Sequence, residues 1–134
     1  QVKALIDANI KITALRDATR GGVSAVLNEW AKQSNVCIEI EEEKIPVCDE
    51  VKGICEMLGF ESLSLANEGT FVLAIAQEDA QKTIEVLHTF ENAKNATIIG
   101  KVTQQYEKRV VLNSAWGTKR FLELPTGELL PRIC

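Results

Sequence analysis

Six apolar residues in a row, Phe-Val-Leu-Ala-Ile-Ala, occupy positions 71–76. A short and continuous apolar run is typical of a strand that is covered on both of its faces. Such a strand lies inside a sheet and has other elements packed over it. The run therefore predicts a central strand and a fold that combines helices with a sheet.

Three helices are predicted around this strand. Apolar residues recur with helical spacing over positions 22–35, which predicts an amphipathic helix there. A second helix is predicted from Asp49 to a closing Gly59, and a third follows the acidic pair at positions 78–79. The apolar face expected to bury the second helix consists of Val51, Ile54, Cys55 and Leu58.

Shorter strand patterns complete the chain. Residues 36–40 predict a strand whose acidic end, at 41–43, is best interpreted as a solvated strand exit. Further strands are predicted at 96–102, 109–112 and 118–122. This order of elements indicates an α+β fold, in which helices pack on one face of a mixed sheet.

Composition excludes several classes of protein. The chain has 134 residues, of which 46% are hydrophobic and 25% are charged, as expected for one globular domain with a real core. A net charge of -4 argues against nucleic-acid binding, and no apolar run approaches the length of a spanning helix. The chain starts without Met in sequence of helical character, so we expect it to be part of a longer protein.

Cysteine usage indicates a reducing compartment. Four cysteines occur without a secretory segment, so we expect a cytoplasmic protein with reduced thiols. Cys37 and Cys55 fall in apolar segments and are expected in the core. No pair of ligands has the spacing of a zinc site, and the single histidine, His88, is expected on a helix surface.

The first segment that could carry chemistry is Asp-Ala-Thr-Arg-Gly-Gly at positions 17–22. Its two glycines let the backbone approach a ligand, and the N-terminus of the following helix offers free N–H groups to an anion. Arg20 could bind a phosphate, and Asp17 could hold a metal or cap the helix. Local pattern alone favours the simpler interpretation, an ordinary capped helix start.

Two further segments carry candidate groups. Leu-Ala-Asn-Glu-Gly at 65–69 places the carboxylate of Glu68 just before the apolar run, although a simple turn has the same composition. The last eleven residues, 124–134, contain two prolines and a glycine and end on Cys134. We expect them to form a flexible arm that can deliver a thiol to another site.

Together, these segments resemble a known family in sequence and in order. The loop at 17–22, the segment at 65–69 and the terminal Pro131-Arg132-Ile133-Cys134 are similar to the hydrogenase maturation carbamoyl dehydratases called HypE. That family belongs to the PurM-like (AIR synthetase) superfamily. The terminal tetrapeptide is the most specific part of the resemblance, which covers essentially the whole chain.

The resemblance implies a domain organisation. Residues 1–123 would be a PurM-like C-terminal domain, and residues 124–134 its flexible tail. An N-terminal domain, absent here, would supply most of the site for ATP and Mg²⁺ and the interface of a homodimer. The isolated domain would then be inactive, and no confident metal ligand is expected within it.

The resemblance also implies a reaction and its residues. Cys134 would receive a carbamoyl group from a HypF-type carbamoyltransferase, and ATP-dependent dehydration would convert that group to a thiocyanate. The cyano group would pass to a HypC–HypD complex and become a ligand of the [NiFe]-hydrogenase centre. Glu68 would be the base, and the nucleotide phosphates would lie near Asp17, Thr19, Arg20, Gly21 and Gly22.

Two other functions are compatible with the residues. A different PurM-like ATP-dependent synthetase would share the loop at 17–22 but would not need a terminal thiol. A non-catalytic module would use the tail only to bind a partner protein, without chemical change at Cys134. No nucleic-acid or membrane partner is expected.

Overall fold

The structure, a computed structural model, describes residues 1–124. Within these residues the chain forms four α-helices and six β-strands. In chain order they are α1 (Val2–Asp7), β1 (Ile12–Asp17), α2 (Gly22–Ser34), β2 (Cys37–Glu41), α3 (Asp49–Leu58), β3 (Phe71–Ile75), α4 (Ala80–His88), β4 (Gly100–Thr103), β5 (Arg109–Asn113) and β6 (Lys119–Phe121). The predicted tail residues Pro131, Arg132, Ile133 and Cys134 lie outside the described residues.

The larger sheet has the strand order β4-β2-β5-β6. The pair β2–β5 is parallel and the other two pairs are antiparallel, so the sheet is mixed, as predicted. Alternate residues of β2 and β5 share one hydrophobic core with the buried face of α2. The main members of this core are Val26, Leu27, Ala31, Ile38, Ile40, Leu63, Val110, Leu112 and Leu122.

Residues 71–75 of the apolar run form β3, but the prediction of a central and fully buried strand is wrong. Among the described residues, β3 pairs only with β1, and Val72 is its only buried residue. Val72 joins the core beneath α2, whereas the alternate residues of β3 pack against α1 and α4 around Leu5, Ile10 and Leu87. The strand is apolar throughout because its two faces serve two separate cores.

The sequence patterns did not predict β1. Most of this strand is exposed, so it lacks the apolar alternation that marks a half-buried strand. Its register sets Asp17 opposite Phe71, which is the geometry that joins the first and second candidate segments.

The helices begin and end close to their predicted positions. Asn35 and Gly59 close α2 and α3 in the left-handed conformation, with φ of 58° and 69°. The predicted burial of α3 is largely wrong, because only Cys55 of the helix is buried. Ile54 and Leu58 are each more than half exposed and line an open apolar groove.

Burial of the remaining predicted residues is mixed. Cys37 is buried like Cys55, and both are free thiols, whereas Cys48 is exposed. His88 is exposed at the end of α4, and its Nε2 lies 2.8 Å from the carbonyl oxygen of Ala96. None of the described helices is long and apolar enough to cross a lipid bilayer.

At one glycine, the backbone of α2 packs closely against the backbone at 63–65. Gly22, the first residue of α2, has φ of +63° and is buried. A Cβ atom at this position would lie 2.4 Å from the carbonyl oxygen of Leu63 and 2.5 Å from that of Leu65. Only glycine permits both this conformation and this close approach of two backbones.

We expect the Gly22→Ala substitution to lower the free energy of unfolding by about 3 kcal/mol or more. About 1–2 kcal/mol comes from the left-handed conformation and a similar amount from overpacking. Denaturation in urea measures the change. Gly59→Ala is the matched control, because Gly59 has φ of +69° but no atom within 4 Å of its Cβ position. Equal losses in the two variants would contradict the close contact.

Candidate functional site

Two of the three candidate segments lie side by side. Because β1 and β3 are antiparallel, the end of β1 and the beginning of β3 meet at one edge. The amide of Ala18 donates to the carbonyl oxygen of Thr70 at 2.9 Å, and the amide of Asn67 donates to that of Ala18 at 3.0 Å. Segments 17–22 and 65–69 are therefore neighbours in the structure, which the sequence patterns did not predict.

The first segment is not an ordinary capped helix start. Gly21 is the N-cap of α2, in the left-handed conformation with φ of 64°, and no side chain of the described residues caps this end. Asp17 instead accepts a long hydrogen bond, 3.4 Å, from the hydroxyl of Thr19. The N-terminal end of α2 thus lacks a side-chain acceptor from the described residues, and such an end favours anions.

Three exposed charged residues belong to these two segments. The side chains of Asp17, Arg20 and Glu68 are exposed, and none makes an ion pair with another described residue. The guanidinium of Arg20 is suited to bidentate binding of a phosphate. The two carboxylates are available to bind a cation or to accept a proton.

The described residues do not assemble a metal centre by themselves. No group of three or more His, Cys, Asp or Glu side chains comes together within residues 1–124. Asp17 can contribute one oxygen ligand, which is the kind that Mg²⁺ prefers. A magnesium ion bound here would need its other ligands from water, from phosphate oxygens or from further protein residues.

Sequence reasoning missed two residues of this region, Ser24 and Asn28. Both are buried on α2, with 0% and 4% of their surface exposed. The hydroxyl of Ser24 donates to the carbonyl oxygen of Glu123 at 2.9 Å, and Asn28 Nδ2 donates to that of Leu122 at 2.9 Å. A second bond from Asn28 Nδ2 reaches the carbonyl oxygen of Ser24 at 3.0 Å.

A sequence signal for this pair exists. Ser24 and Asn28 are four residues apart, so they lie on the same side of α2 within its apolar face. Buried polar side chains require hydrogen-bond partners, and here the partners are carbonyls of the last described residues. The beginning of the C-terminal segment is therefore attached to the same helix that starts at the candidate site.

Comparisons with known proteins identify the family. The model of the "AIR synthase related protein, C-terminal domain" family matches residues 1–113. A putative hydrogenase expression/formation protein of Methanocaldococcus jannaschii is 41% identical over 133 residues, covering 99% of this chain and 39% of that protein. Carbamoyl dehydratase HypE of Escherichia coli K12 is 45% identical over 123 residues, covering 92% of this chain and 36% of that protein.

Solved structures give the same result. A hydrogenase maturation protein HypE in complex with ATP matches with a TM-score of 0.91 and 35% identity, covering 99% of this chain and 41% of that one. A HypE–HypF complex matches with a TM-score of 0.83 and 42% identity, covering 92% of this chain and 39% of that one.

The matches cover nearly all of this chain but only part of each relative. This chain spans about two-fifths of the length of the curated relatives that it matches. The chain therefore belongs to the family of AIR synthase related C-terminal domains, and it is similar throughout its described length to that domain of the HypE hydrogenase maturation proteins.

Proposed function

We propose that this chain is the C-terminal domain of an ATP-dependent carbamoyl dehydratase. In this proposal Cys134 carries a carbamoyl group, which is dehydrated to a thiocyanate that supplies the cyanide ligand for [NiFe]-hydrogenase maturation. One observation carries the proposal. The loop at 17–22, the segment at 65–70 and the start of the C-terminal segment are all attached to the first two turns of α2.

The reaction requires a better leaving group than a carboxamide oxygen. Transfer of the γ-phosphoryl group of ATP to the carbamoyl oxygen, with loss of one N–H proton, would turn that oxygen into part of a phosphate and release ADP. Loss of the remaining N–H proton, with cleavage of the C–O bond, would then release phosphate and leave S–C≡N. The site must therefore bind phosphates and accept protons near one sulfur atom.

Phosphate binding is assigned to the segment at 17–22. The N-terminal end of α2 has no side-chain cap among the described residues, and Gly21 would let a phosphate approach its N–H groups. Gly22 holds this end of the loop in place through its contact with Leu63 and Leu65. Arg20 would add charge-assisted hydrogen bonds, while Asp17 and Thr19 lie on the same loop. When bound, ATP and Mg²⁺ would supply the phosphoryl group and neutralise its charge, and we assign most of their ligands to the part of the complete protein that this chain lacks.

Glu68 is assigned as the base. Its carboxylate is exposed and is not engaged in an ion pair with a described residue, so it is free to accept a proton from a substrate. The hydrogen bond between Asn67 and Ala18 holds its segment beside the proposed phosphate loop. Proton removal and phosphoryl transfer would therefore take place next to each other.

The attachment point of the C-terminal segment supports delivery of Cys134 to this site. Asn28 binds the carbonyl of Leu122 and Ser24 binds that of Glu123, so residues 122–123 lie against the first two turns of α2. Eleven residues follow Glu123. A segment of that length can span up to about 36–40 Å, which is ample for the sulfur to reach the loop.

The partners are proposed from the relatives. Solved HypE structures include one with ATP and one with HypF. We infer that a HypF-type carbamoyltransferase loads Cys134, that a HypC–HypD complex accepts the cyano group, and that the complete protein is a cytoplasmic homodimer. Catalysis belongs to that complete protein rather than to the isolated domain.

We expect Cys134 of the complete protein to gain a carbamoyl group when the carbamoyltransferase, carbamoyl phosphate and ATP are supplied. ATP should then cause loss of one water from the same peptide, because dehydration of the carbamoyl group leaves a nitrile. Mass spectrometry of the C-terminal peptide follows both changes, and Cys134→Ser should show neither.

An unmodified Cys134 beside a demonstrably active transferase would contradict the proposal. Full activity of Cys134→Ala in an ATP-dependent synthesis would instead indicate another PurM-like synthetase. Loss of partner binding on truncation of residues 129–134, without any chemical change at Cys134, would indicate a binding module.

We expect Glu68→Gln to stall the protein at the carbamoylated form. Loss of a general base slows proton transfer by about 10²–10⁴-fold, whereas loading of Cys134 does not require this carboxylate. Single-turnover mass spectrometry separates the two steps. Glu78→Gln is the control, since Glu78 is also exposed but lies beyond β3. Equal dehydration rates in the two variants would remove Glu68 from the mechanism.

A further inference from the structure

Two buried side chains of α2 form hydrogen bonds to the backbone just beyond the end of the last strand, β6. Strand β6 ends at Phe121, and Leu122 still donates its amide to the carbonyl oxygen of Val110 at 2.9 Å. After that bond, the carbonyl oxygens of Leu122 and Glu123 accept hydrogen bonds from the side chains of Asn28 and Ser24, respectively. The attachment of the chain thus passes from the sheet to α2 at residues 122–123.

We propose that Ser24 and Asn28 are positioning residues, which form a pivot that fixes where the C-terminal segment begins, beside the first two turns of α2. The contacts of the pivot are independent of the reaction, whereas the role of the segment as a carrier rests on the proposed function.

Burial indicates that these bonds, rather than the surface charges, hold the pivot. Ser24 and Asn28 are almost fully buried, and hydrogen bonds in such surroundings resist competition from water. The other contact of Glu123 is an ion pair with Arg109, 3.6 Å long, in which both side chains are more than half exposed. Exposed ion pairs of this kind contribute little to stability.

The pivot has a direct consequence for reactivity. The effective concentration of a tethered group depends on where its tether starts and on how long the tether is. With the pivot intact, the tether of Cys134 starts at Glu123, beside the first turn of α2. Release of the two carbonyls would lengthen the tether and move its origin back towards β6.

Disulfide formation between Cys134 and a thiol placed at the site measures this effective concentration. The 134-residue chain with Glu68→Cys provides the partner thiol, and Cys48→Ser removes the exposed cysteine, while Cys37 and Cys55 are buried. Oxidised glutathione accepts the electrons and is released as two reduced molecules. The rate of ring closure is followed by mass spectrometry.

We expect Ser24→Ala and Asn28→Ala to slow ring closure, and the double variant to slow it by roughly 1.3-fold, because effective concentration falls as about the −3/2 power of a tether that lengthens from about 11 to about 13 residues. Thr83→Val is the matched control. Thr83 is also buried, and its hydroxyl donates to the carbonyl oxygen of Asp79 at 2.8 Å, but it lies on α4. The control should lose similar stability and keep the original rate.

Unchanged ring closure in Ser24→Ala and in the double variant would overturn the pivot, as would an equal slowing in Thr83→Val. If Asn28→Ala fails to fold, Ser24→Ala still decides the question, because it removes only one hydrogen bond.

A second readout connects the pivot to catalysis. In the complete protein, Ser24→Ala should slow dehydration at saturating ATP and leave both the KM for ATP and the loading of Cys134 unchanged. Equal loss in loading and dehydration would indicate a merely structural role. The ring-closure measurement uses neither ATP nor a transferase, so it remains valid even if Cys134 is never carbamoylated.

Discussion

The contact between Gly22 and the carbonyls of Leu63 and Leu65 determines how the candidate site is assembled. It sets the first turn of α2 directly against the backbone that leads into the segment at 65–70. A side chain at Gly22 would force these two backbones apart, because carbonyl groups cannot yield as a flexible side chain can. The first turn of α2 would then move away from the backbone that leads to Glu68, although the hydrogen bonds of Ala18 to Asn67 and Thr70 would remain.

Helix α2 connects three parts of the chain that are distant in sequence. The loop at 17–22 leads into this helix, and the backbone at 63–65 packs against its first residue, Gly22. Residues 122–123 accept hydrogen bonds from its buried polar side chains. The hydrophobic face of the same helix anchors it in the main core. A single rigid element therefore positions the loop that would bind phosphate, the carboxylate that would accept a proton and the start of the chain that ends in the thiol.

Local sequence signals predicted some parts of this arrangement and could not predict others. The C-terminal ends of α2 and α3 could be predicted, because Asn35 and Gly59 are residue types that adopt the left-handed conformation in which helices often end. The pairing and packing of residues 71–75 could not be predicted. An apolar run shows that both faces of a strand are apolar, but not which strands pair with it or which cores its faces join. Exposure of Ile54 and Leu58 was missed because helical periodicity identifies an apolar face, but not whether another element covers it.

Chemical carbamoylation of Cys134 with cyanate, followed by addition of ATP to the complete protein, tests the central claim most directly. The step bypasses the transferase and asks only whether this site converts a thiol-bound carbamoyl group to a nitrile. We expect an infrared nitrile signal that requires ATP and disappears in Cys134→Ser. A carbamoyl group on Cys134 that persists unchanged with ATP and Mg²⁺ would contradict it.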